Sequence, residues 1–104
     1  EVKNVTLSRE KDIAEFPDAV TLRGSKHLKK LTESIKLGYK PYVLFLVQMQ
    51  NISKFRIAKD IDSDYYNNFF EAKKKGLNFI AYRCKLSSKE IVIEKKILID
   101  HDWI

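Results

Sequence analysis

Six consecutive apolar residues, Tyr42-Val43-Leu44-Phe45-Leu46-Val47, set the tightest limit on the fold. The run starts behind Pro41 and ends at Gln48, too short for a typical helix and far short of the roughly 20 residues a membrane-crossing helix needs. An apolar run of this length reads as a strand covered on both faces, as in an α/β sheet. Gln48 then stands at its carboxyl end, the edge where open α/β sheets place their ligands.

The remaining elements follow from periodicity and from chain breakers. Val2, Val5 and Leu7 alternate with polar residues, so Glu1 to Leu7 is expected to be a strand with Glu1 and Lys3 on one face. Ser8 to Asp12 reads as a turn, and Ile13 to Phe16 as an antiparallel return strand that Pro17 ends. A first helix is expected to begin between Asp18 and Ser25, with Asp18, Thr21 or Ser25 as its N-cap. Leu28, Leu31 and Ile35 face the core, and Gly38 stops the helix.

Asn51 to Asp64 reads as a polar connection. A second helix from Asp64 to Lys75 is capped by Asp62 or Ser63, carries Tyr65, Tyr66, Phe69, Phe70 and Ala72 as core and docking residues, and ends at Gly76. Leu77 to Leu86 is a further strand. After Ser87-Ser88, the segments 90–93 and 97–99 form a final pair or a tail strand. The expected order is β-β-α-β-α-β-β, a mixed β-sheet flanked by helices in a three-layer α/β core.

At 104 residues the chain is expected to be a single domain, residues 1–104, and a fragment, because it opens at Glu1 directly on a strand pattern. The lone Cys84 excludes an internal disulfide and reads as a buried, inert thiol, which fits a reducing compartment, the bacterial or archaeal cytoplasm. No membrane segment is expected. The formal net charge of +6 fits a polyanionic partner, and its distribution matters more than its sum. Six basic residues and one acid, Glu33, lie between Arg23 and Lys40. A solvated helix face explains such a run as readily as a phosphate-binding one. Aromatic residues do not interleave with it as a single-strand stacking platform requires.

The chemistry-bearing residues cluster early. Glu1 and Lys3 share a strand face, and Asp18, Arg23 and His27 follow where the chain turns into the first helix. Carboxylate oxygens suit hard cations such as Mg²⁺ or Mn²⁺. Arginine, lysine and a helix N-terminus suit phosphate. Arg23 and His27 lie about one helical turn apart and are expected on one side. Asp18 is read either as a further metal ligand or as an N-cap.

The segment Phe16-Pro17-Asp18-Ala19-Val20-Thr21-Leu22-Arg23-Gly24-Ser25-Lys26-His27, with Glu1 to Leu7, Val43 to Gln48 and Ala81 to Cys84, resembles the carboxyl-terminal half of the sugar fermentation stimulation protein A family. The resemblance covers nearly the whole chain. It implies a fold similar to the PD-(D/E)xK restriction-endonuclease-like nucleases, an OB-like domain upstream, DNA as partner and a role in sugar metabolism. Glu1 and Lys3 match the second half of the nuclease motif, whose first acidic residue would lie upstream. On that footing Glu1 and Lys3 are the expected catalytic residues, and Glu1 and Asp18 the expected ligands of Mg²⁺ or Mn²⁺. Arg23, Lys26, His27, Lys29 and Lys30 are the expected phosphate contacts, with Thr21 and Gln48 supporting the site from one layer further out. The competing reading is a non-catalytic DNA-binding regulator with a vestigial pocket, and a third is a purely structural domain.

Overall fold

A computed structural model describes residues 1–86 and 90–100. The expected break at Ser87-Ser88 lies outside them. Nine elements follow in order: β1 (Val2–Val5), β2 (Leu7–Glu10), β3 (Ile13–Phe16), α1 (Leu22–Ile35), β4 (Tyr42–Val47), β5 (Lys54–Ile57), α2 (Ser63–Lys74), β6 (Asn78–Leu86) and β7 (Ile91–Ile99). The order is therefore β-β-β-α-β-β-α-β-β, with two strands beyond the expected set.

The first correction is that the expected strand from Glu1 to Leu7 divides. β1 pairs in parallel with β4, whereas β2 turns away at Thr6 and forms the hairpin with β3. The predicted turn at Ser8 to Asp12 is thus mostly strand, and the chain reverses at Lys11-Asp12, with Asp12 at a φ of 68°. The second correction is β5, which arises inside the expected polar connection and lies parallel to both β3 and β7. Of the two alternatives for the tail the structure has the single strand, β7, nine residues running through Glu94-Lys95-Lys96.

All seven strands form one mixed sheet in the order β1-β4-β6-β7-β5-β3-β2. Its two edge strands are consecutive in the chain and separated by Thr6 alone, so the sheet curls until it nearly closes. Val5, Val43, Phe45, Val47, Phe55 and Ala81 are buried on its inner side. Phe45 lies 4.5 Å ring to ring from Phe55, although β6 and β7 separate their strands in the sheet. That contact requires the curl.

Both helices pack on the inner side. Phe69 of α2 lies 4.2 Å from Phe79, Tyr65 lies 5.4 Å from Phe16, and Leu28 of α1 is buried in the same core. Among the described residues the apolar run of β4 is therefore fully covered on one face. Val43, Phe45 and Val47 are buried, while Leu44 and Leu46 on the other face are half-buried, so the three-layer core is replaced by helices on one side of a curled sheet. Among the described residues no helix is long and apolar enough to cross a membrane.

The helix ends follow their local signals. Thr21 is the N-cap of α1, its Oγ1 accepting the Gly24 N–H at 2.9 Å, and Asp62 is the N-cap of α2. Gly38 and Gly76 follow the two helices at φ of 92° and 104°, backbone angles that only glycine adopts without strain.

Candidate functional site

Parallel pairing with β4 fixes the first residues of the chain. The Leu44 N–H donates to the Glu1 carbonyl at 2.8 Å, and Lys3 lies opposite Phe45. Strand alternation then sets the Glu1 and Lys3 side chains on one face. Lys3 Nζ lies 2.8 Å from Glu1 Oε1, and His27 Nδ1 approaches the same oxygen at 3.1 Å. The hydrogen bond from Lys3 holds the Glu1 carboxyl below its usual range against the opposing effect of burial, and the Lys3 charge and His27 add to that. The site thus joins a strand pair to a helix residue 26 positions away.

His27 was expected among the phosphate contacts, and its geometry ties it to Glu1 as well. It also lines a groove of about 550 Å³ with Arg23, Lys26, Lys29, Lys30 and Glu33. Arg23, Lys26, Lys29 and Lys30 are exposed and enter no ion pair among the described residues. Four cations without a carboxylate partner there leave their charge available to an anion. α1 has no acidic residue in its first turn, which preserves the positive field at that end.

Two expected positions lie differently. Asp18 is exposed and does not cap α1, a role Thr21 fills. Gln48 supports β1 from the opposite end of its pairing with β4, its Nε2 donating to Asn4 Oδ1 at 2.9 Å. Among the described residues no three side chains of His, Cys, Asp or Glu gather as a metal cluster. Glu1 and His27 meet at one carboxylate oxygen, and Asp18 lies exposed. Cys84 is buried, as expected, and burial pushes its thiol pKa up.

A second charged cluster was not among the expected features. Glu15 on β3 is completely buried and accepts two hydrogen bonds from Arg9, at 2.9 and 2.7 Å, and one from Arg56 at 3.3 Å. Arg9 also grips Asp60 through two bonds of 2.7 Å. Burial alone would raise the Glu15 pKa, yet the two guanidinium groups outweigh it and hold the carboxyl low. The available signal was an arginine on each of β2 and β5, flanking the carboxylate of the strand between them.

The fold and the site define an α/β domain whose curled mixed sheet presents a carboxylate–lysine pair beside a cationic helix. The family model for the sugar fermentation stimulation protein RE domain matches residues 1–90, and the chain belongs to that family. It is 66% identical over 99 residues to the sugar fermentation stimulation protein homolog of Pelagibacter ubique, covering 95% of this chain and 43% of that protein. The homolog from Clostridium acetobutylicum is 46% identical over 99 residues with the same coverage. The solved structure of Pyrococcus furiosus SfsA in complex with Ca²⁺ superposes with a TM-score of 0.86 at 28% identity, over 96% of this chain and 43% of that one. The chain thus spans less than half the length of the relatives it matches.

Proposed function

We propose that this domain is the phosphate-facing, nuclease-like part of a longer DNA-associated protein, with Glu1 and Lys3 at the reacting end and α1 holding the nucleic-acid backbone. The observation that carries this reading is the Glu1–Lys3–His27 cluster at the end of a groove lined by Arg23, Lys26, Lys29 and Lys30. A carboxylate beside an ammonium suits phosphodiester hydrolysis. The lysine offsets charge that develops on phosphorus oxygens, and the carboxylate orients the lysine. The cations of α1 would bind the backbone without reading sequence.

The Pyrococcus furiosus protein was solved in complex with Ca²⁺, which supports a cation as part of this reading. When bound, Mg²⁺ or Mn²⁺ would polarise a phosphoryl oxygen, with Glu1 supplying one ligand. A further ligand would be the acidic residue that opens the nuclease motif, upstream of Glu1, and a PD-(D/E)xK relationship would account for the Glu1-x-Lys3 spacing.

The exposed cations of α1, which enter no ion pair among the described residues, favour one second reading, a DNA-binding regulator of sugar metabolism without catalysis. Incubating the full-length protein with plasmid and single-stranded DNA in Mg²⁺, Mn²⁺ or EDTA, beside a Lys3→Ala form, separates the two. Metal-dependent cleavage lost in Lys3→Ala supports the nuclease. Salt-sensitive binding without cleavage supports the regulator.

A further inference from the structure

Tyr65 is fully buried, and its hydroxyl is the one buried side-chain oxygen or nitrogen among the described residues that has no hydrogen-bond partner. Buried polar groups are ordinarily paired, so an orphan calls for a partner that the resting arrangement does not supply. The ring has little freedom. Its backbone N–H is held by Asp62 Oδ1 at 3.0 Å, and the ring meets Phe16 edge-on at 5.4 Å. Cε2, next to the carbon that carries the hydroxyl, lies so close to Gly24 that a Cβ there would come within 3.1 Å.

Gly24 precedes His27 by one turn of α1, so the hydroxyl end of Tyr65 lies beneath the stretch of helix that reaches Glu1. Burial raises the phenol pKa, and the charge of Glu1 is the next largest influence on it, ahead of that of Asp62. On Glu1, Lys3 and His27 both contact Oε1, which leaves Oε2 open to a further donor. The unpartnered hydroxyl thus belongs to a ring packed at Gly24, one helical turn from the His27 that reaches Glu1.

We propose that Tyr65 is a positioning residue of this site, its hydroxyl donating to Oε2 of Glu1 when the carboxylate turns to meet a bound phosphate-bearing ligand. The role rests on the proposed function, since it fixes the orientation of the carboxylate that serves the substrate. Gly24 belongs to the same device, because any side chain there would push the ring away.

The test uses the full-length protein with Tyr65→Phe, Glu1→Ala and Lys3→Ala, a short DNA duplex as probe, and three readouts. Tyr65→Phe is expected to keep or raise the Tm, because it removes an unpaired buried hydroxyl, and to leave duplex affinity in EDTA unchanged, because α1 sets it. It is expected to lower kcat in Mg²⁺ by about tenfold, the worth of one hydrogen bond to a charged group, while KM stays within about twofold. In duplex-bound protein, NMR should show a slowly exchanging phenol hydroxyl proton that vanishes in Tyr65→Phe and in Glu1→Ala. A Tm loss in Tyr65→Phe with unchanged kcat would overturn the proposal, as would a hydroxyl proton that survives Glu1→Ala. Wild-type protein that binds duplex but never cleaves it overturns the nuclease reading alone, and the hydroxyl resonance then decides the Tyr65–Glu1 contact by itself.

Discussion

Asp62 holds Thr21 across the interface of the two helices. Its Oδ2 accepts the Thr21 backbone N–H at 2.8 Å, while its Oδ1 caps α2 by accepting from the Tyr65 N–H at 3.0 Å. Thr21 in turn caps α1, so one buried carboxylate sets the start of both helices. Asp62→Ala should lose both bonds and cost about 2 to 3 kcal/mol, a Tm drop of roughly 10 °C or more for a domain of this size. Asp62→Asn should recover only part of that, since its amide offers one oxygen to two N–H donors. Thermal melts of the three forms check this.

Gly24→Ala tests how tightly α1 is seated. Alanine is favoured over glycine within a helix by about 1 kcal/mol. Here its Cβ would meet Thr21 Cγ2 at 2.8 Å, the capping Oγ1 at 3.0 Å and Tyr65 at 3.1 Å. The crowding should win, leaving a net loss of about 1 to 2 kcal/mol in chemical denaturation. A stabilised variant would show that the helix can shift away.

Glu15 should make stability sensitive to acid. Its carboxyl is held below the ordinary value of 4.5 in the fold, so the unfolded chain takes up protons first as the pH falls. The stabilisation is present in full above that ordinary value and is lost as the pH drops through the folded-state value. Glu1 and Asp60 are depressed in the same direction, by Lys3 and by Arg9. Glu15→Gln should cost about 3 kcal/mol near neutral pH, because it leaves Arg9 and Arg56 facing a neutral amide. It should also flatten the fall in Tm below pH 4.5 relative to the wild type.

Salt dependence tests the groove. If the α1 cations meet DNA phosphates, each of Lys26→Gln, Lys29→Gln and Lys30→Gln should weaken duplex binding and reduce the slope of log affinity against log salt by about 0.9. Lys95→Gln, on β7 away from the groove, should leave the slope unchanged. Fluorescence anisotropy across a salt series measures both. Equal effects at all four positions would indicate general attraction to a basic surface.

The sequence was legible where local chemistry decides structure. Both helices end at glycines that adopt positive φ, and both begin at side-chain caps, signals carried within a few residues. β2 and β5 were not legible, because Arg9, Glu10, Lys54 and Arg56 make them look like solvated loops. Their charges answer one another only once Glu15 lies between them. The Glu1–Lys3 pair could be read from strand alternation, and the family resemblance pointed to the same residues. The contact of His27 with Glu1 is tertiary, and so is the neighbourhood of Tyr65, which its spacing marked only as core.

Thr6 alone separates the two strands that end up at opposite edges of the sheet. The hairpin of β2 and β3 can close as soon as those residues exist, but the pairing of β1 with β4 waits until Tyr42 to Val47 has been made. His27 is made before β4 but Glu1 is seated beside it only through β4, so a chain still on the ribosome cannot assemble the Glu1–Lys3–His27 cluster until that strand has followed.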